Sequence, residues 1–230
     1  MVHLLRADGE LARRLPPDDR VVADRQLVAP VVRVPEGPWD AGAQMGRRPV
    51  AYLVLEGTLL RSCRVGGRWS SEILGREDVL RPWDEAEGIS VEVAWQALES
   101  VQLAIIEQRL VLLVSRWPDL VDELLARSVR RSRFLAVLRS VCAIRRLDIR
   151  LLVLLRLLAG RWGRVSPRGV HVGVRLTHEA LARVVGAQRP SVSATLSRLR
   201  CDGLVTTNGR ELVLALELPR EVEEALGDFA

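Results

Sequence analysis

The chain has 230 residues, 48% of them hydrophobic, with 34 basic and 29 acidic side chains for a formal net charge of +5. That length carries two modest domains with cores of their own, and the apolar content excludes a disordered chain. No run of about 18 uncharged apolar residues exists to span a membrane, and the opening MVHLLRADGELARRLPPDD lacks the apolar core and small-residue cleavage site of a secretion signal. Cys63, Cys142 and Cys201 are scattered and form no CxxC pair, so neither a disulfide framework nor a zinc or iron–sulfur site is indicated. A cytoplasmic location is expected, with no membrane partner.

In chain order, Gly9–Leu15 reads as a short helical lead-in stopped by Pro16 and Pro17. From Val21 to about Ile106 the pattern is short and β-like. VAPVVRVP, AYLVLEGTLLRSCRV, SSEILG, VEVAWQAL and VQLAIIE are strand candidates between Gly, Pro and Asp clusters. The clearest unit is Ala51–Val65, two strands bent at Glu56–Gly57. Strands at this spacing predict an antiparallel roll or barrel.

An enzyme is not expected in that roll. His3, His171 and His178 all lie outside the strand region, and no GxSxG motif appears. Glu77 and Asp78 in GREDV read as turn residues. Trp39, Trp69, Trp83 and Trp95 read as core or rim residues, with a pocket lining as the alternative.

After Leu110 the period becomes helical. A short helix ends near Ser115, and Pro118 restarts the pattern as one long helix from Asp119 to about Arg146. Its Leu120, Leu124, Val129, Leu135, Leu138, Val141 and Cys142 recur at mixed spacings, mostly of three to five. At 1.5 Å per residue such a helix is about 40 Å long. Its apolar face can pack against the roll or pair with a second copy of the chain, and pairing through 119–146 is the reading preferred. Arg145–Asp148 makes a joint, Asp148 can cap the helix Ile149–Trp162, and RVSPRGVHVGVRL supplies a loop and a strand in which His171 reads as structural.

The most informative stretch is LTHEALARVVGAQRPSVSATLSRL, Leu176–Leu199. Thr177 can cap a helix whose apolar face is Ala180, Leu181, Val184 and Val185, with Glu179 favourably in its first turn. Gly186 supplies the left-handed stop. Gln188 opens a second helix, where Pro190 is harmless in the first turn. Val192, Leu196 and Leu199 repeat at helical spacing, leaving Arg189, Ser191, Ser193, Ala194, Ser197 and Arg198 as a small, polar, basic outer face of the kind that enters a DNA major groove. GLVTTNGRELVL then reads as a hairpin turning at Asn208–Gly209. Two helices with such a wing make a winged helix. Residues 127–210 hold 18 arginines against 3 acidic residues, whereas residues 1–126 hold 15 against 20. The positive field is therefore concentrated around this motif, where it would draw a polyanion.

This order of parts, with the motif LTHEALARVVGAQRPSVSATLSRLRCDGLV, resembles the cyclic-AMP receptor/fumarate–nitrate regulator (Crp–Fnr) superfamily of bacterial transcription regulators. The resemblance implies an α+β chain: a cyclic-nucleotide-binding-domain-like β-roll at 1–117, a long dimerisation helix at 118–147, and a winged helix-turn-helix at 148–230. It implies double-stranded DNA as partner, a homodimer on a palindromic operator, and RNA polymerase as a further candidate partner. In the superfamily an arginine early in the recognition helix contacts bases, and Arg189 holds that position. The acidic residue that often follows is Pro190 here, and a later base-contacting arginine is Ala194. Thr177, Gln188, Ser191, Ser193, Ser197, Arg198 and Arg210 complete the set expected at DNA. Cyclic-nucleotide binders carry a Gly–Glu pair and then an Arg–Ser or Arg–Thr pair. Here Arg81 is followed by Pro82, with Asp84, Glu85 and Glu87 nearby to repel a phosphate. The cysteine set of the oxygen-sensing members is also absent. Neither a cyclic nucleotide nor an iron–sulfur cluster is expected. The alternative reading is a small-molecule-binding or protein-interaction module whose winged helix is an interaction surface.

Overall fold

The computed structural model describes residues 1–41, 49–82 and 91–227. The chain divides into two compact units, Met1–Arg61 with Leu74–Phe134, and Ser62–Ile73 with Leu135–Ala230. The division falls within the long helix predicted from the sequence.

The amino-terminal segment is more helical than the sequence suggested. After β1 (Val2–His3) come α1 (Leu4–Ala7), α2 (Gly9–Arg14) and α3 (Pro17–Gln26). Asp8 caps α2 by accepting from the Leu11 N–H at 3.2 Å. Pro17, expected to stop a helix, starts one: it occupies the first turn, where no intrahelical N–H is needed. The β-like pattern therefore begins at Val28, not Val21.

The strands that follow are β2 (Val28–Ala29), β3 (Val31–Val34), β4 (Gly37–Pro38), β5 (Ala51–Glu56), β6 (Leu59–Val65), β7 (Arg68–Leu74), β8 (Val79–Leu80), β9 (Glu92–Ala97) and β10 (Val101–Ile106). They form two four-stranded antiparallel sheets, ordered β3-β10-β5-β8 and β4-β9-β6-β7. The bend at Glu56–Gly57 thus carries the chain from one sheet to the other; β5 and β6 are not hairpin partners. Gly57 adopts φ +86, and a Cβ there would lie 2.5 Å from the Ser100 carbonyl.

Strand β5 shows why this region reads as continuous apolar sequence. Its side chains alternate faces. Tyr52 and Val54 join Val34, Trp39, Leu59, Leu80, Val101 and Leu103 in the roll interior. Leu53 and Leu55 face a second core built by Leu4, Leu5, Leu11, Leu15 and Leu27 with Leu110, Trp117 and Leu120. Both faces are buried, so no polar alternation survives. Trp39 meets Trp95 edge-to-face with ring centroids 5.7 Å apart, which places both in the core reading. Trp69 is partly exposed beneath the Arg64 guanidinium. Trp83, Asp84, Glu85 and Glu87 lie outside the described residues. Asp78 accepts from the Gly75 N–H at 2.9 Å and Glu77 has φ +75, the turn roles expected of them.

Helix α4 (Gln108–Val114) leads into α5 (Pro118–Ala143). A buried ion cluster ties α5 to the amino-terminal helices. Arg127 grips Asp8 with both Nη atoms, at 2.5 and 2.9 Å, and donates to Glu123 at 3.0 Å. Arg130 and Arg14 each lie 2.6 Å from a Glu123 oxygen. Arg127, Asp8 and Glu123 are all buried.

In the second unit, α6 (Leu147–Trp162) buries Ile149, Leu151–Leu155, Leu158 and Ala159, so it is apolar nearly all round. Asp148 is not its cap. Arg146 occupies that position; Asp148 stands second in the helix, where its carboxylate accepts from the Ile149 N–H at 3.0 Å and is held by the Arg146 guanidinium at 2.9 Å. The expected loop and single strand are a hairpin, β11 (Arg164–Ser166) and β12 (Gly169–Arg175). Then come α7 (His178–Val185), α8 (Arg189–Cys201), β13 (Val205–Asn208), β14 (Glu211–Leu214) and α9 (Arg220–Gly227), with the sheet ordered β11-β12-β14-β13. Gly173 is required in β12: it has φ +78, and a Cβ would fall 1.9 Å from the Trp162 carbonyl oxygen. Among the described residues, no helix is long and apolar enough to cross a membrane.

Candidate nucleic-acid interface

The two-helix motif forms as its sequence dictates. The Thr177 hydroxyl accepts from the Ala180 N–H at 3.0 Å, capping α7. Gly186 ends it at φ +66, ψ +39, in the left-handed region. Ala180, Leu181, Ala182, Val184 and Val185 from α7 are buried, as are Val192, Thr195, Leu196 and Leu199 from α8. Each fully buried leucine or valine contributes about 1.5–3 kcal/mol, so this interface fixes the angle at which α8 is presented.

The other faces of α8 carry the candidate residues. Gln188 is its N-cap, with no side-chain capping bond, and Arg189 is its first residue. Gln188, Arg189, Ser191, Ser197 and Arg198 are exposed. No acidic residue sits in the first turn, so the positive end of the helix dipole and its free N–H groups remain open to an anion. Arg198 reaches Asp148 at 3.4 Å while staying largely exposed. Thr177 uses its oxygen as a cap, leaving its hydroxyl proton to donate. Ser193 is drawn inward: its Oγ lies 2.8 Å from His178 Nδ1. His178 was not among the sequence candidates, because a first-turn histidine carries no periodic signal. Burial, then the charges of Arg200 and Arg189, push its pKa down. The ring is therefore neutral near pH 7, and it positions Ser193 without adding charge.

The wing is displaced by one residue from the expected turn. Asn208 pairs with Glu211, so the two-residue loop is Gly209–Arg210, not Asn208–Gly209. Gly209 has φ +60 at the first loop position, the arrangement of a type II′ turn. Arg210 is thereby placed at the exposed tip. Behind the tip stands a polar anchor. Glu211 accepts from the Gly173 N–H at 3.1 Å and pairs with His171 Nδ1 at 2.8 Å; the His171 Nε2 lies 3.1 Å from Ser166 Oγ. Burial pushes the Glu211 carboxyl up, but the bonds from His171 and Gly173 outweigh it and hold the pKa below the usual range. His171 is buried and serves the structural role read from its strand.

Among the described residues, no group of three or more His, Cys, Asp or Glu side chains could hold a metal ion. Cys63, Cys142 and Cys201 are free thiols.

Residues 149–220 match the model of the Crp-like helix-turn-helix domain. Several solved structures share the fold of nearly the whole chain. A double mutant of CooA from Carboxydothermus hydrogenoformans is 18% identical with a TM-score of 0.62, covering 86% of this chain and 88% of that one. FixK2 from Bradyrhizobium japonicum is 17% identical with a TM-score of 0.62, over 87% and 97%. A cyclic nucleotide-binding domain containing protein from Listeria monocytogenes is 16% identical with a TM-score of 0.63, over 90% and 96%. No match was found among curated proteins.

Proposed function

We propose that this chain, whose residues 149–220 form a Crp-like helix-turn-helix domain, is a homodimeric transcription regulator of the Crp/Fnr type that reads a palindromic DNA operator. The observation that carries this reading is the outer face of α8. Gln188, Arg189, Ser191 and Ser197 are exposed there and make no side-chain hydrogen bond or ion pair among the described residues. Arg189 is assigned to a base edge, where a guanidinium bidentate to guanine discriminates by about 1–3 kcal/mol. Thr177, Gln188, Ser197, Arg198 and Arg210 are assigned to phosphates. Ser191 serves either, and Ser193 acts through its bond to His178. DNA as the partner places the protein in the cytoplasm, RNA polymerase is its further partner, and no catalytic role is assigned.

Dimerisation is supported by α5. Leu120 and Leu124 pack into the amino-terminal core. Val121, Leu125 and Val129, four residues apart on another face, are exposed, Leu125 at 62%. Such a stripe on a long helix is covered economically by its own copy. Leu125→Arg is expected to convert a dimer into a monomer in sedimentation velocity and to weaken operator binding by at least tenfold, since two half-sites are no longer linked. An unchanged dimer would remove α5 from the interface.

The regulator is proposed to work without a cyclic nucleotide or an iron–sulfur cluster. Arg81 is followed by Pro82, which offers neither the hydroxyl nor the free N–H that a cyclic phosphate would need. Titration with cyclic AMP or cyclic GMP should give no micromolar calorimetric isotherm; one that did would overturn this part of the reading.

A further inference from the structure

A cavity of about 530 Å³ lies in the first unit. Its lining comes from the end of α3, β2, the end of β10, α4 and the link from α4 to α5. The volume falls in the range of small-molecule sites, roughly 300–1,000 Å³. Val28, Pro30, Ile105, Leu110 and Leu113 supply aliphatic wall, and three arginines, Arg25, Arg109 and Arg116, converge on it with one acidic residue, Glu107. Arg116 donates to the Gln26 amide oxygen at 3.3 Å. Arg25 and Arg109 have no acidic partner among the described residues. Other arginines of this unit are held in ion pairs, Arg6 with Asp24, Arg13 with Glu10 and Arg127 with Asp8, while Arg20 donates to the Leu15 carbonyl. Guanidinium groups grouped around an aliphatic hollow match a carboxylate or phosphate head on a hydrocarbon body.

We propose that this cavity binds a small organic anion with an aliphatic body, and that the anion is an effector of the regulator. Arg109, Leu110 and Leu113 belong to α4, and Arg116 stands two residues before the first residue of α5. An occupant therefore touches the element that leads directly into the proposed dimerisation helix, a route by which binding biases helix position. The effector role rests on the regulator reading; the binding site does not.

The test is calorimetry and thermal shift on the full chain, without DNA, using decanoate and decyl phosphate as probes and decyltrimethylammonium as the cationic control. Saturable binding of at least one anion, with a raised Tm, and no binding of the cation are expected. The tighter of the two anions assigns the head group. The Arg25→Gln and Arg109→Gln double variant should weaken binding by roughly tenfold per arginine. Both side chains are exposed, so its unliganded Tm should match the parent. No heat with either anion, equal binding by the cation, or undiminished binding by the double variant would overturn the proposal. Because no DNA is present, failure of the operator-reading model leaves these outcomes unaffected.

Discussion

Arg189→Ala is expected to cut discrimination between operator and random duplex sharply while leaving most of the sequence-blind affinity in place. Arg189 is exposed at the first position of α8, adds no packing and pairs with no acid among the described residues, so its removal should leave the Tm unchanged. Loss of one bidentate base contact costs about 1–3 kcal/mol per half-site. On a palindrome read by two copies the effects add, giving roughly a 30-fold loss or more. The salt slope should change little, because the other basic groups still release counterions. Arg189→Lys should not restore specificity, since an ammonium lacks the planar fork. Competition binding with operator and scrambled duplex at two salt concentrations separates these outcomes. An equal loss on both duplexes would make Arg189 a phosphate contact.

The second large effect is on stability. Arg127→Leu should destabilise the first unit by about 3–5 kcal/mol, because Asp8 and Glu123 would keep buried charges with too few partners. That corresponds to a Tm fall of roughly 6–20 °C. Replacing Asp8, Glu123 and Arg127 together by leucine should recover much of the loss, less about 1 kcal/mol for the cap that Asp8 gives α2. The same cluster sets an acid limit. Burial pushes the Glu123 carboxyl up, but hydrogen bonds from Arg130 and Arg127 outweigh it and hold the pKa below its ordinary value. The stabilisation is therefore fully present above about pH 4.5 and is lost as pH falls through the lowered folded value. Thermal melts of the variant and the parent from pH 7 to pH 3 check both statements. A variant as stable as the parent at pH 7 would show that the cluster is not holding α5 to the amino-terminal helices.

The helix-turn-helix was legible because its signals are local. Thr177, Gly186 and Pro190 act within one turn of their own position, and Val192, Leu196 and Leu199 report one helical face. The amino-terminal helices were missed for a related reason. α3 is polar, with Ala23 as its buried residue, so it lacks an apolar period. Pro16 and Pro17 read as a stop when the second of them is a start. The wing turn moved by one residue because pairing of Asn208 with Glu211 leaves Gly209, not Asn208, as the first loop residue. The Arg127 cluster joins residues more than a hundred positions apart, and no spacing rule could bring Asp8 to it. The same holds for the link between His178 and Ser193 and for the arginines around the cavity: long-range placement set those groups, and sequence showed only their charge.

The central claim is that α8 reads DNA in a dimer, and selection from a random duplex pool tests it most directly. The purified protein should enrich a palindromic consensus whose half-sites are one helical turn apart, with affinity that falls steeply as salt rises. Failure to retain any duplex, even at low salt, would contradict the claim and leave the winged helix as a surface for a different kind of partner.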